Sequence, residues 1–429
     1  MRIPAAGLRA RFLLAAAFSA CVGPAVATTY TVTSEADVPE SSPGNGTCDP
    51  DFALPGVCTL RAAVQEANAH AGTDSIVLEA GQVLTLTRSG LDDNASGGDL
   101  DITDSVTIWF FASGERPVVD AGGQERAFDI RSGNVTLLGF DITGGAALVP
   151  GDQYGGAIAV EFDAGIVQLS LLRLHGNQAN FGAGLYNDGP STTLDGSELH
   201  GNQSAHDYTD SGGSAIYNRG GLVVRHSSVF DNEGTDGFGA TAVRNVPPTT
   251  GVPTLEISNS TIASNLGPAV SSVDEAILLV RNSTIGDNVI GVQVLGPGGT
   301  FQMRNSVIAH HSGQDCTISG AASLNLDRYN MDSDDTCELG AGSSNYPGTD
   351  PRLTPLARHG GFTHASWPLH DSPLLDLGHP VIGGIGCEAD DQHFLERPVD
   401  YDGDGNERCD IGAIELDSDV LFHDPFDRL

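Results

Sequence analysis

The feature that most constrains this chain is a motif that recurs six times between residues 170 and 308. Each copy carries one apolar residue. In five of the six copies a Ser precedes that residue by two positions, and in five an Asn follows it by three. A period of 23 to 33 residues predicts a solenoid of stacked repeats. The six apolar positions are Leu174, Leu199, Val229, Ile262, Ile285 and Ile308.

Each repeat carries about three short strands, so the fold class we predict is all-β, a right-handed parallel β-helix. A Gly-rich element follows the apolar position, as at 182–185, and an apolar stretch such as 276–280 leads into the next copy. The handedness follows from the chirality of parallel crossovers. Leucine-rich repeats have a similar period, but their alternating Leu consensus is absent. The repeated Asn should bond the rungs above and below it, and Asn tolerates the left-handed turn conformation that we expect there.

The composition of the chain excludes one class of function. The formal charge is −36, and all 20 basic residues are Arg. Phosphate binding requires clustered basic side chains, so we expect no nucleic-acid partner. The 55 Gly residues fit a fold with many tight turns.

The amino terminus is typical of an exported protein. Residues 1–27 combine Arg residues, an apolar run and an Ala-Val-Ala cleavage pattern at 25–27, which predicts a signal peptide. A rival interpretation is lipidation at Cys21. No later apolar run is long enough for a transmembrane helix. We expect an extracellular or outer-cell-surface location.

Six cysteines remain after Cys21, in three sequence-local pairs. Of the 15 possible pairings, local closure is the simplest, and oxidation would agree with export. We predict three disulfides: Cys48–Cys58, Cys316–Cys337 and Cys387–Cys409.

The open ends of a β-helix require caps. At the amino end, residues 59–72 have helical periodicity, with Thr59 placed to cap the helix and Gly72 to end it. We expect a cap at 28–78, rungs at 79–315, a disulfide-bonded cap at 316–416 and an acidic tail at 417–429.

Both ends resemble known families of exported bacterial proteins. The run 58–68, Cys-Thr-Leu-Arg-Ala-Ala-Val-Gln-Glu-Ala-Asn, resembles the CSLREA amino-terminal segment. Segments 350–356, 372–378, 397–405 and 409–415 resemble the choice-of-anchor Q carboxyl-terminal region. The repeats are similar to those of polymorphic outer-membrane proteins, although the carboxyl-terminal barrel of that family is missing. These resemblances imply a β-helix and export, and they imply little about activity.

The run Asp-Tyr-Asp-Gly-Asp-Gly at 400–405 is the clearest metal candidate. It places hard carboxylates around a turn, as Ca²⁺ binding requires. Ile411 stands where an EF-hand needs its bidentate Glu, so we predict a different shell, made by Asp400, Asp402, Asp404 and Asn406. The alternative is a solvated acidic turn.

A second candidate is a ligand-binding flank. The loops that precede the Gly-rich elements carry aromatic and acidic residues, which suit sugar rings and their hydroxyl groups. The alternative is that the rings of Phe181 and Phe238 pack beneath their turns as part of the hydrophobic core. The candidate residues are Asp152, Tyr154, Tyr208, Asp210, Asp236 and Phe238.

The function we predict is non-catalytic: a secreted or cell-surface monomer that binds a polysaccharide or cell-surface glycan, with Ca²⁺ as the expected cofactor. The alternative is a polysaccharide lyase or glycoside hydrolase of the pectate-lyase-like β-helix class. Arg225, Arg281 and Arg304 share one repeat column that could meet an acidic glycan, although such residues are more often solvated. A purely structural spacer is a third class.

Overall fold

The computed structural model describes residues 27–50, 56–90, 92–204, 212–234, 240–248, 251–320, 322–326, 328–340, 344–381 and 386–417. Nearly all of the predicted signal peptide, including Cys21, and nearly all of the predicted tail therefore lie outside the described residues. Within these ranges the chain forms 34 strands and a single α-helix, α1, at Leu60–Ala69.

The strands are short and follow one another at regular intervals. In chain order they are β1 Thr29–Thr31, β2 Asp74–Val77, β3 Val83–Thr85, β4 Leu100–Ile102, β5 Val106–Trp109, β6 Val118–Asp120, β7 Phe128–Ile130, β8 Gly133–Leu138, β9 Asp141–Thr143, β10 Ala146–Ala147, β11 Ile158–Val160, β12 Ala164–Ser170, β13 Arg173–His175, β14 Gln178–Ala179, β15 Leu185–Asn187, β16 Ser191–Asp195, β17 Glu198–His200, β18 Gln203–Ser204, β19 Ile216–Asn218, β20 Gly221–Arg225, β21 Ser228–Phe230, β22 Glu233–Gly234, β23 Val243–Asn245, β24 Thr254–Ser258, β25 Thr261–Ala263, β26 Pro268–Val273, β27 Ile277–Arg281, β28 Thr284–Gly286, β29 Ile290–Leu295, β30 Thr300–Arg304, β31 Val307–Ala309, β32 Cys316–Ile318, β33 Ser323–Leu326 and β34 Met331–Asp332.

The strands form three long sheets and one short sheet. Sheet 1 has 11 strands (β1 to β33), sheet 2 has 10 (β3 to β34), sheet 3 has nine (β4 to β32) and sheet 4 has four (β10, β14, β18 and β22). Within a sheet, each strand pairs in parallel with the corresponding strand of the next rung, as β13 does with β17. The chain is therefore a parallel β-helix, as the repeats predict, and a right-handed coil is consistent with the arrangement.

The predicted apolar column lies in sheet 2, in continuous register. Leu174 pairs with Leu199, Leu199 with Val229, and the column continues without a shift to Ile308. All six side chains are buried in one core that runs along the axis. Burial of each such side chain contributes roughly 1.5–3 kcal/mol, which makes this column a main source of stability.

The repeated Asn residues form a buried ladder, as predicted. Nδ2 of Asn177 donates to Oδ1 of Asn202 at 3.0 Å, Asn202 donates in the same way to Asn232, and the chain of bonds continues to Asn265 and Asn288. The left-handed conformation that we expected at these Asn residues is instead found one position earlier. The Asn side chain must point inward to join the ladder, so the residue before it makes the turn: Gly176, Gly201, Asp231, Ser264 and Asp287.

Helix α1 lies over the amino-terminal end of the stack, as predicted. The Thr59 hydroxyl accepts from the backbone N–H of Ala62 at 3.1 Å, which caps the helix. Leu60 and Val64 are buried in the same core as the rungs, and the helix contacts β2 and β4. The helix ends at Ala69, three residues before the expected Gly72.

All three predicted disulfides are confirmed: Cys48–Cys58, Cys316–Cys337 and Cys387–Cys409. The first lies beside α1. The second joins β32 to the segment that follows β34. The third lies within the carboxyl-terminal segment.

The carboxyl-terminal segment turns back along the solenoid. We call residues 357–381 and 386–416 the C-terminal strap. Thr261 Oγ1 donates to Gln392 Oε1 at 2.6 Å, the Ala413 N–H donates to Thr284 Oγ1 at 3.1 Å, and Asn305 Nδ2 donates to the Asp410 carbonyl at 3.0 Å. The strap therefore covers the sheet 2 flank over several rungs.

Candidate functional site

The outer face of sheet 3 carries a column of chemically distinct residues. The central residues of successive strands are Asp101, Asp129, Ala159, Tyr186 and Tyr217, and each is the register partner of the next. Adjacent strands lie about 4.8 Å apart, so two carboxylates stand next to each other at one end of the column. The small Ala159 separates them from two phenol rings.

Asp129 and Tyr186 of this column line a groove of about 580 Å³ on the side of the solenoid, which we call the acidic groove. Most of its polar groups are carboxylates. Its principal lining residues are Asp99, Arg126, Asp129, Arg131, Asp152, Tyr154, Glu161, Tyr186 and Asp188.

Arg126 organises the acidic groove. Its Nη1 lies 2.9 Å from Asp99 Oδ2 and 3.6 Å from Asp129 Oδ2. Its Nη2 pairs with Asp152, and its Nε donates to the Tyr154 carbonyl at 3.0 Å. One guanidinium thus fixes three carboxylates and the backbone beside a tyrosine ring.

Not all carboxylate oxygens of the groove are used. Oδ1 of Asp129 accepts no hydrogen bond, and neither does Oδ1 of Asp101, although both carboxylates are almost completely buried. The guanidinium of Arg131 lies 3.0 Å from Asp129 Oδ2 and 3.7 Å from Asp101 Oδ1. Buried acceptors without donors are costly, so burial favours the protonated form of both carboxyl groups.

Burial changes the ionisation of these groups. Burial and the neighbouring carboxylates of Asp101 and Asp129 raise the pKa of Asp99 to about 8, against the opposing effect of Arg126. Burial also raises the pKa of Asp101 to about 7, and the pKa of Glu161 is raised for the same reason. At neutral pH the Asp99 carboxyl group is therefore largely protonated and can donate a hydrogen bond.

Aromatic rings line the other half of the groove. Tyr154 lies 4.8 Å from Tyr186 and 5.0 Å from Phe181, measured between ring centroids, and it stacks on Phe181 at an angle of 24°. The Tyr186 hydroxyl accepts from Arg219 Nη1 at 3.1 Å. The rings are held by one another and by Ala159 beneath them.

The structure places two of the six predicted flank residues together: Asp152 and Tyr154 both line the acidic groove. Phe181 packs between Tyr154 and Tyr217. The other four predicted flank residues lie outside the described residues: Tyr208, Asp210, Asp236 and Phe238.

The carboxylates of sheet 3 were not predicted as a site, although the sequence carries a pattern for them. An apolar-Asp-Ile triplet occurs at 100–102 and again at 128–130, with a spacing of 28 that matches one rung. The six-copy motif begins only at residue 170, so its period does not align Asp101 with Asp129.

The acidic loop at 400–406 forms a second cluster. Carboxylate oxygens of Asp376, Asp400 and Asp402 lie within 4.8 Å of one another. Asp376 was not among the expected ligands. Asn406 Nδ2 donates to Asp404 Oδ2 at 2.9 Å, so these two expected ligands bond to each other.

The predicted arginine column is in register in sheet 1, with Ser258 between Arg225 and Arg281. Arg225 pairs with Asp195 at 2.9 Å, and Arg281 pairs with Glu256 at 2.8 Å. These pairs neutralise the two guanidinium groups.

Comparison with known proteins gives a likeness to solved structures, but no protein-family model and no curated protein matches the sequence. The crystal structure of pectate lyase Pel9A aligns with a TM-score of 0.40 and 15% identity, over 91% of this chain and 96% of that one. A likeness of this size carries no conclusion about activity. Among the described residues, no helix has the length and apolarity needed to cross a membrane.

Proposed function

We propose that this protein is a carbohydrate-binding protein and that the acidic groove is its binding site. The observation that carries the proposal is the column Asp129–Ala159–Tyr186, which sets a carboxylate and a phenol ring on either side of a small residue. Sugars present apolar ring faces to aromatic side chains and hydroxyl donors to carboxylates. The half-buried Tyr154 ring and Asp152 extend both kinds of surface.

The charge of the acidic groove indicates which class of glycan it can bind. The lining of the acidic groove contains more carboxylates than guanidinium groups, so its local charge is negative. A polyanionic glycan would be repelled, so a neutral polysaccharide is the ligand we propose for this groove. This role fits the non-catalytic binding or adhesion predicted from the sequence.

A glycan array followed by calorimetry tests the proposal. The Tyr154→Ala and Asp152→Asn variants should weaken binding of a neutral oligosaccharide about tenfold, since each removes a direct contact. Tyr401→Ala changes a half-buried Tyr at the distant acidic loop and is the matched control. Unchanged affinity in both groove variants, with native circular dichroism, would contradict the proposal.

A second candidate function is hydrolysis of the bound glycan. The pKa of Asp99, about 8, leaves its carboxyl group protonated at neutral pH, as a general acid requires. A reducing-sugar assay, with a parallel assay for the unsaturated products of a lyase, separates binding from cleavage. Hydrolysis predicts new reducing ends that Asp99→Asn abolishes, while oligosaccharide affinity stays within about twofold.

We also propose that Ca²⁺ binds at the acidic loop. The proximity of Asp376, Asp400 and Asp402 supports this, because Ca²⁺ prefers several carboxylate oxygens. Asp404 and Asn406 complete the turn on the same loop.

We propose that the protein is exported and acts as a monomer at the cell surface or outside the cell. The three disulfides support an oxidising compartment. The CSLREA-like and choice-of-anchor-Q-like segments also support export. Amino-terminal sequencing of the secreted protein would locate the cleavage site, and a mature chain that begins with lipidated Cys21 would favour the rival interpretation.

A further inference from the structure

A second concavity lies where the C-terminal strap meets the solenoid. It has a volume of about 460 Å³ and lies between the loop that joins β5 to β6 and the start of the strap. We call it the arginine cleft. The residues that matter are Phe111, Arg116, Arg173, Glu198, Arg358 and Phe362.

The arginine cleft differs from the rest of the molecule in charge. Three of the chain's 20 Arg residues line it, while the lining includes a single carboxylate, Glu198. Asp141 adds one more negative charge behind Arg116, at 2.7 Å from its Nε. Three guanidinium groups face two carboxylates, so a local positive charge remains in a strongly acidic protein.

Arg116 is bonded to Asp141 and to the Phe140 and Leu171 carbonyls, whereas the other two guanidinium groups share one acceptor. Arg173 Nε lies 3.3 Å from Glu198 Oε2, and Arg358 Nη2 pairs with the same oxygen. Arg358 Nε is shielded from solvent and donates to no described group. Burial and the nearby charge of Arg358 lower the pKa of Arg173, which shows that like charges are held close together here. An added anion would relieve that repulsion.

Two exposed aromatic rings border the same cleft. Phe111 is 76% exposed and Phe362 is 65% exposed, although they are separated by 251 positions in the sequence. Large apolar side chains that converge on one concavity from distant segments are typical of a binding site. Each ring can pack against the apolar face of a sugar, while the guanidinium groups pair with a carboxylate.

We propose that the arginine cleft binds a carboxylated sugar residue, a uronate, from an acidic polysaccharide. The occupant must combine one negative charge with a ring that has an apolar face, and a uronate has both features. A neutral sugar would leave the charge excess unpaired. This site shares no residue with the acidic groove, so it can be tested independently of the proposed function.

The test is calorimetric titration of the full chain with a glucuronate trisaccharide. The control ligand is the same trisaccharide with its carboxylates reduced to alcohols. We expect the uronate to bind and its affinity to fall as NaCl is raised, because charge pairing is screened by salt. The reduced trisaccharide should bind at least about tenfold more weakly to the cleft.

Matched variants locate the binding. Arg358→Gln and Phe111→Ala should each weaken uronate affinity about tenfold. Arg352→Gln changes an Arg of similar exposure just before the strap, and Phe162→Ala changes another exposed ring, so both should bind as the unaltered protein does. The proposal is overturned if no uronate binding occurs at 10 mM, if the reduced trisaccharide binds equally well, or if both cleft variants retain full affinity.

Discussion

Nε2 of His226 lies 3.3 Å from Oδ1 of Asp390, and these two residues are 164 positions apart in the sequence. Nδ1 of the same imidazole lies 2.8 Å from Asp195 Oδ1. The side chain therefore bridges a carboxylate of the solenoid and one of the C-terminal strap. The ring also packs on Phe394 of the strap, with 4.3 Å between centroids.

This bridge predicts how stability changes with pH. Burial opposes the imidazolium charge, but the hydrogen bonds to Asp195 and Asp390 outweigh it and raise the pKa of His226. The stabilisation is therefore fully present below the unfolded-state pKa of about 6.5, and it is lost as pH rises through the higher folded-state pKa. Urea unfolding between pH 5.5 and 9 should show this loss in the unaltered protein. His226→Gln should lack that component of the pH dependence, and an identical profile in both proteins would contradict the assignment.

The titration of Asp99 predicts a second loss of stability as the pH rises, for a different reason. Its folded-state pKa, about 8, lies above the ordinary value of 3.8, so folding favours the protonated form. Between about pH 4 and pH 8 the free energy of unfolding therefore falls as the pH rises. Asp99→Asn cannot ionise and should flatten this part of the stability profile. The exposed Asp93 offers the matched control Asp93→Asn, which should keep the original slope.

The asparagine ladder predicts a large stability loss on truncation. The Asn232 side chain donates to the Leu199 and Phe230 carbonyls and to Asn265, and it accepts from Asn202. Asn232→Ala leaves these buried groups unpaired and should lower the free energy of unfolding by about 3 kcal/mol. Asn325 is exposed on β33, and Asn325→Ala should change stability by less than about 0.5 kcal/mol. Equal effects in urea denaturation would refute the role of the ladder.

The Cys316–Cys337 disulfide should stabilise the last rungs. The bond closes a segment with a sequence separation of 21 residues, for which chain entropy gives about 3 kcal/mol. In urea denaturation the Cys316→Ala/Cys337→Ala double variant should show a free energy of unfolding lower by that amount. The variant should also be less sensitive to dithiothreitol than the unaltered protein, and equal sensitivity would show that this bond contributes nothing.

Calcium binding at the acidic loop predicts a shift in thermal stability. Ca²⁺ at millimolar concentration should raise the Tm of the unaltered protein, because a ligand that binds only the folded state stabilises it. Asp402→Asn removes one of the three clustered carboxylates and should abolish the shift. Glu407→Gln, an exposed neighbour on the same loop, should retain it. A calorimetric titration without heat in the unaltered protein would exclude the site.

The sequence predicts the solenoid well because stacking imposes a constraint at every rung. Leu199 must fit beneath Val229 and above Leu174, and the same requirement recurs from rung to rung. Sequence-local cysteine pairs were predictable for a similar reason, since Cys48 and Cys58 are close in any compact arrangement.

The candidate sites were harder to predict because their residues come from segments without a common period. Asp152 and Tyr154 could be placed on a flank, but their link to Asp99 depends on the reach of one Arg126 side chain. The arginine cleft required a segment beyond residue 357 to fold back against Arg173, and no spacing in the sequence encodes that path.

The path of the C-terminal strap has a mechanical consequence. In a simple repeat stack each rung contacts only its neighbours, so an end rung can fray without disturbing the others. Here the strap is bonded to rungs that contain Glu198, Thr261, Thr284 and Asn305. Peeling the last rung from the end would require breaking contacts far along the solenoid at the same time. The carboxyl-terminal half should therefore unfold as one cooperative unit and resist pulling forces and proteases.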